Sequence, residues 1–232
     1  MKVNESKTDL CIFHKLDTIP LTISVNGQPV TSKSSINVLG ITFDSKMHWD
    51  KQVCQAITKS KKALCAIKLI KRFFTNKELL QLITANFYSV LYYGSEIWHI
   101  PTLKQPLKQK LLSASACALK LCMNTRCDMI SFVNLHVLNQ RATPEKLLVY
   151  KHALLLHKFY NGSDMGIEWQ MLNLLQVFTS RQTNFKIHKG NTSKVGINAL
   201  ANRFHILNDL IPLSWLNLSR ETFKVKCKAL LL

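Results

Sequence analysis

The sequence predicts an α+β fold, predominantly α-helical, with a small antiparallel β region at the N-terminus followed by a helical bundle. Three observations carry that expectation. Up to Phe43 the apolar residues alternate in short runs broken by turn residues. Beyond it they recur at helical spacing to about residue 176. Gly and Pro are scarce, at seven and six in 232 residues, and 47% of the chain is hydrophobic, which excludes a linker or disordered tail and supplies one large core or two small ones.

Taken in order, "LCIF" (10–13) reads as a short strand. "LTISV" (21–25) alternates Leu21, Ile23 and Val25, and Asn26-Gly27 signals a type I′ hairpin. Pro29 puts the return strand at an edge or beside a break. "INVLGITF" (36–43) is expected to complete one small antiparallel sheet, with Gly40 marking a bulge or a close backbone approach. At Asp44-Ser45-Lys46 the chain turns into a helix. From 50 to 72, Val53, Ile57, Ala63, Leu64 and Ile67 share one helical face. Lys51, Lys61, Lys62, Lys68 and Arg72 occupy the adjoining arc, while Lys59 and Lys71 lie away from it. No acidic residue occurs between Asp50 and Glu78. Solvated helices usually mix signs to gain i,i+4 pairs, so one-sided charge favours a phosphate-facing helix over a plain solvent face.

Thr75-Asn76-Lys77-Glu78 is a capping box that starts the next helix, "KELLQLITANFYSVLYY", apolar nearly all round and ended by Gly94. Its aromatics Phe87, Tyr88, Tyr92 and Tyr93, with Trp98, are expected in the core rather than stacked on bases. A third helix over roughly 103–123 presents Leu103, Leu107, Leu111, Ala114, Ala118 and Leu121 at helical spacing. Thr143-Pro144-Glu145 caps a further helix that ends at Asn161-Gly162. Residues 161–166 form the expected subdomain boundary, giving segments 1–46, 47–162 and a basic C-terminal region 163–232. Within the last, 178–196 reads as a loop or short strands, and "SRETFKVKCKALLL" as a terminal helix capped by Ser219.

Lys and Arg outnumber Asp and Glu by 31 to 13, a formal charge of +18. Such an excess predicts an anionic partner, nucleic acid before others, bound less tightly as salt rises. No apolar stretch after Met1 resembles a secretory signal, and seven cysteines without a dense framework fit reduced thiols. The expected compartment is intracellular, nuclear or cytoplasmic. The longest uncharged run, between Glu78 and Glu96, is interrupted by Gln81, Thr84, Asn86 and Ser89, so no membrane span is expected.

Chemistry-bearing patterns are sparse. Cys117, Cys122 and Cys127 recur every five residues, which on a helix turns each thiol by about 140° from the last, so they do not converge on an ion and no metal site is expected. Nothing selects a Ser–His–Asp set among His48, His99, His152 and His157. The glycines are scattered, and no adjacent Asp-Asp occurs for two-metal phosphoryl chemistry. Read this way, the chain holds nucleic acid and carries no catalytic centre.

Three segments, in order, resemble the region just past the catalytic palm of non-LTR (LINE-type) retrotransposon reverse transcriptases. In that family an N-x-x-K-T-E element, motif D, precedes a primer-grip element YLGI-x-x-D-x-x-L-x-W, and thumb helices follow with L-Y-S-x-L-x-Y-G-x-E-x-W. Here Asn4, Lys7 and Thr8 match the first, with Asp9 in place of Glu. Leu39, Gly40, Ile41, Asp44, Met47 and Trp49 match the second, with Val38 where an aromatic is usual, and "FYSVLYYGSEIWH" (87–99) matches the third. The tail "NRFHILNDLIPLSWLNLSRETFKVKCK" is similar to the ending of many such polyproteins, where a P-x-x-W-N element precedes F-K.

The resemblance implies roles. Lys7 would be the motif D lysine near departing pyrophosphate; its plainer reading is a surface lysine beside a strand. Leu39, Gly40 and Ile41 would form the primer grip, a tight bulged hairpin that lets backbone approach the primer's 3′ end, which a β-carbon could obstruct. The helix from 50 to 72 would be the first thumb helix, its cations lying along an RNA–DNA duplex read through backbone and shape. The implied partners are RNA template, RNA–DNA duplex and the palm and fingers segment. The family's Asp-Asp metal site lies upstream of Met1, so the expectation is a fragment of an RNA-directed DNA polymerase that supplies template–primer grip and does not polymerise alone. Mg²⁺ is then expected only for the full-length polymerase. The alternatives are a stand-alone, non-catalytic nucleic-acid-binding helical module, and a helical protein-interaction module whose charge aids solubility. Residues 1–43 would ordinarily pair with palm strands, so they are expected to expose apolar edges.

Overall fold

Asn26 and Gly27 take positive φ, 51° and 84°, and close a two-residue hairpin between β1 (Thr22–Val25) and β2 (Gln28–Thr31). Both left-handed residues are what a type I′ turn requires. The structure is a computed structural model and describes residues 4, 7–13, 20–100, 102–123, 130–161, 175–176, 186–187 and 206–232. It is predominantly α-helical, with antiparallel hairpins near its N-terminus. The chain divides into two compact units, Met1–Gly94 and Ser95–Leu232.

In the first unit the β region departs from expectation in two ways. "INVLGITF" is not one strand but a second hairpin, β3 (Ser35–Val38) and β4 (Ile41–Asp44), turning at Leu39 (φ 50°) and Gly40 (φ 82°). The two hairpins form separate two-stranded sheets rather than one. A leucine in the left-handed region is disfavoured, which hides the turn from a composition-based reading. The Asn37 side chain supports it by accepting the Gly40 amide at 3.0 Å. "LCIF" is not a strand either. Leu10 makes a single parallel bridge with Ser32, and the partner segment bends away at Ser34, so the ladder has nothing to continue on.

The joint from sheet to helix is held by one side chain. Asp44 Oδ1 accepts the amides of Lys46 (3.2 Å) and His48 (3.0 Å), and Oδ2 that of Trp49 (2.8 Å). Met47 and Trp49 take positive φ, 53° and 66°, inside this clasp. Trp49 is buried and meets Phe43 edge-on at 5.2 Å. The helix α1 (Asp50–Ile70) follows, continued by a 3₁₀ turn at Lys71–Phe73. Gln52 also reaches back, its Oε1 accepting the Thr42 amide at 2.8 Å.

The capping box is present: the Glu78 amide donates to Thr75 Oγ1 (3.4 Å) and the Thr75 amide to Glu78 Oε2 (2.8 Å). The Thr75 amide and hydroxyl both donate to Glu78 Oε2, at 2.8 Å each, and hold that carboxyl below the usual carboxylate range. From there α2 (Asn76–Ile83), a π turn (Thr84–Tyr88) and α3 (Ser89–Leu91) run on as one helix. Leu79, Ile83, Phe87 and Leu91, every fourth residue, are buried. Such a stripe drifts around an ideal α-helix, and the wider π turn takes up that drift. Carbonyls loosened by the bulge are met by side chains, Thr84 Oγ1 on Leu80 (2.6 Å) and Asn86 Nδ2 on Leu82 (3.0 Å). The helix is therefore buried along one stripe rather than all round. Phe87, Tyr92 and Trp98 are buried, whereas Tyr93 is 55% exposed. Gly94 (φ 58°) ends this run, and a Cβ there would overlap the Ile41 side chain.

The second unit contains α4 (Ser95–Trp98), α5 (Gln105–Cys122), α6 (Phe132–Leu138) and α7 (Pro144–Tyr160). Thr143 Oγ1 accepts the Lys146 amide at 3.4 Å, in keeping with its capping role. Helical structure does not extend to residue 176: β5 (Leu175–Gln176) pairs antiparallel with β6 (Lys186–Ile187). The expected boundary beyond Asn161 and most of 178–196 lie outside the described residues. The terminal helix α8 (Arg220–Leu231) is capped by Ser219, which accepts the Thr222 amide at 3.4 Å. It packs on α7 around Tyr150, Leu156, Leu216, Phe223 and Cys227. Tyr160 Oη donates to Asn217 Oδ1 at 2.9 Å, fastening the tail segment to α7. Among the described residues no helix is long and apolar enough to cross a membrane.

Candidate nucleic-acid interface

The turn between β3 and β4 projects as a tip. Leu39 is 85% exposed, although it is a leucine with positive φ. Its carbonyl accepts the Tyr93 hydroxyl at 3.0 Å, and the Tyr93 ring lies in van der Waals reach of Gly40. Ile41, the third residue of the expected grip, points the other way: it is buried against Gly94. Leu39 and Gly40 thus face outward and Ile41 anchors them.

Beside the tip is an open cleft of about 330 Å³, bounded by Gly40 and Tyr93, by Gln55 and Lys59 of α1, and by Ser89 and Val90 of α3. Gln55 is oriented by Thr42, whose hydroxyl donates to its Oε1 at 2.8 Å. Lys59, set apart from the basic arc by the sequence, is the charged residue of this cleft. The sequence signal for it was its position on α1 together with the short step from Gly40 to Gln52, and it was legible only once the hairpin was known to fold back.

The basic arc of α1 is solvent-facing. Lys51, Lys61, Lys62 and Lys68 are exposed beside the buried stripe of Val53, Ala56, Ile57, Ser60 and Ile67, and Arg72 is exposed on the 3₁₀ turn that follows. Lys51 Nζ reaches Ser35 Oγ at 3.2 Å and so leans toward β3. The Arg72 guanidinium sits over the Phe73 ring at 4.7 Å. Lys7 is exposed too, on a local turn in which the Asn4 carbonyl accepts the Lys7 amide (3.2 Å) and the Thr8 hydroxyl (2.9 Å). Asp9 is engaged by Lys33.

Among the described residues of the second unit a serine and a histidine meet, and the pair is inaccessible. Ser115 Oγ lies 2.8 Å from His136 Nε2, and His136 Nδ1 lies 2.7 Å from the Phe132 carbonyl, with both side chains buried. Burial pushes the His136 pKa below the ordinary histidine value. The neutral ring then donates from Nδ1 to the carbonyl and accepts the Ser115 hydroxyl at Nε2. This pair joins α5 to α6 and no substrate can reach it. Lys151, between Ser95 Oγ (2.9 Å) and Glu96 Oε1 (3.0 Å), is likewise a tie between α7 and α4. Cys117 is exposed and Cys122 buried, so these two thiols face different surroundings; Cys127 lies outside the described residues. Among the described residues no three His, Cys, Asp or Glu side chains converge.

Against known proteins, no family model matches the chain, and neither the curated proteins nor the solved structures yield a match.

Proposed function

We propose that this chain grips a template–primer duplex, as the end-of-palm and thumb portion of a non-LTR retrotransposon reverse transcriptase. The observation that carries the reading is the placement, in one compact unit, of an outward Leu39-Gly40 tip next to a helix whose exposed charged residues are all cations. Backbone at the tip suits close approach to a strand end, and Lys and Arg on the arc suit phosphates. RNA–DNA hybrid is the proposed partner, since hybrid geometry is read through backbone and shape. An intracellular location, nuclear or cytoplasmic, goes with that partner.

The test is hybrid binding by the 232-residue chain across a salt series. Five arc cations acting on phosphates give a slope of log affinity against log salt of roughly −3 to −5. Replacing Lys61, Lys62 and Lys68 together by Gln is expected to flatten that slope by about 2–3 and to weaken all sequences alike. A slope near zero would defeat the reading. Mg²⁺-dependent nucleotide incorporation by the same chain is expected to be absent, because the sequence contains no Asp-Asp pair for two-metal chemistry. A stand-alone binding module would behave identically in both assays; an in-frame Tyr/Phe-x-Asp-Asp strand encoded upstream of Met1 distinguishes the polymerase fragment from it.

A further inference from the structure

The cleft beside the tip is not explained by duplex gripping along α1. Lys59 stands about 60° around the helix axis from Lys62, at the margin of the basic arc and on the side that faces the cleft. It is the charged residue of a cavity of about 330 Å³ whose other walls are mostly small or apolar. That volume is at the lower end of the range for small-ligand sites.

The polar groups around it are committed in a way that leaves a particular complement. The Gln55 carbonyl oxygen is taken by the Thr42 hydroxyl, which turns the amide nitrogen into the group left to donate. The Ser89 hydroxyl donates to the Ala85 carbonyl, leaving its oxygen as an acceptor. The Tyr93 hydroxyl is spent on the Leu39 carbonyl, and its ring, more than half exposed, forms a flat wall. A cation and an amide donor at one side, a hydroxyl acceptor, and an aromatic face with Val90 and Ala56 nearby complement an anion joined to a hydroxylated ring system carrying a planar aromatic group.

We propose that this cleft binds one nucleotide, with its phosphate on Lys59 and the Gln55 amide and its base against the Tyr93 ring. The same chemistry can come from a free mononucleotide or from an unpaired terminal nucleotide of a strand. The site is separate from the duplex-facing arc, so the two activities can fail independently.

The experiment is titration of the full chain with dAMP, adenosine and inorganic phosphate, followed by ligand-observed NMR. Saturable dAMP binding is expected, with adenosine and phosphate each weaker by roughly tenfold or more, since each lacks half of the complement. Lys59→Gln is expected to lower dAMP affinity roughly tenfold, the loss of one charge-assisted contact. Lys61→Gln and Lys68→Gln are expected to leave dAMP binding unchanged while weakening duplex binding. All three positions are exposed, so the variants retain the fold, which far-UV circular dichroism checks. Displacement of dAMP by a hybrid with a single-stranded overhang, but not by a blunt one, assigns the site to a strand terminus; lack of displacement by either assigns it to free nucleotide. No dAMP binding, or equal loss in Lys59→Gln and Lys61→Gln, overturns the proposal even where the duplex slope stands.

Discussion

Leu39 breaks a local rule. Its positive φ costs on the order of 1 kcal/mol for a residue with a Cβ, and its side chain packs on almost nothing in return. Asn, which tolerates this region and favours type I′ turns, is expected to stabilise the chain by about 0.5–1 kcal/mol in Leu39→Asn. Urea denaturation reads the sign, and a destabilised variant would mean the leucine has a packing role. Gly94 is the opposite case. It combines φ 58° with a position where any Cβ meets Ile41, so Gly94→Ala is expected to cost about 2–4 kcal/mol. That loss should also loosen the tip, because Ile41 is its anchor. A mid-point unchanged in urea would show that the Ile41 side chain gives way freely. Both residues belong to motifs that drew the resemblance, and the fold gives them distinct duties: one presents, the other packs.

At the scale of elements, what could be read from the sequence follows the physical strength of each signal. The capping box at Thr75–Glu78, the Asn26-Gly27 hairpin and the caps at Thr143 and Ser219 are short-range and chemically explicit, and each is found in place. The α1 stripe was legible because its buried and charged faces differ so sharply. The Leu39-Gly40 turn is implied by the resemblance but not by the residue pattern, because one of its two residues is the wrong type for it. The π turn at Thr84–Tyr88 has no sequence signature of its own; it arises from tertiary packing of a stripe spaced by fours. Helix α6 escaped notice at seven residues, too short for periodicity to declare itself. Its hold on α5 through Ser115 and His136 makes a pH prediction. The unfolded histidine takes a proton near pH 6.5, whereas the folded ring resists it because burial lowers its pKa. The unfolded state therefore binds more protons as pH falls, so stability is intact above about pH 6.5 and declines below it toward the folded pKa. His136→Phe should flatten that decline below about pH 6.5, while lowering stability at pH 8 by about 1–3 kcal/mol as the Phe132 carbonyl loses its side-chain donor. An unaltered pH profile would remove His136 from the account.

For the whole molecule, the formal charge of +18 raises the expectation of an anionic partner without locating a site for it. Helical periodicity placed four lysines on one arc of α1, with Arg72 on the turn that follows, and all five are exposed. What periodicity could not supply was the cleft, which needs two segments far apart in sequence, 40–59 and 89–93, to meet. For that reason Lys59 looked stray in one dimension and does not in three. The joint between β4 and α1 has a last consequence. Asp44 ties three successive-turn amides and seats Trp49 against Phe43, so the tip and the helix are rigidly coupled at an indole. That indole is a built-in optical gauge. Its emission, isolated as the difference between the chain and a Trp49→Phe variant, should change when a strand end presses on Leu39 and stay constant when polyanions touch only the far end of α1.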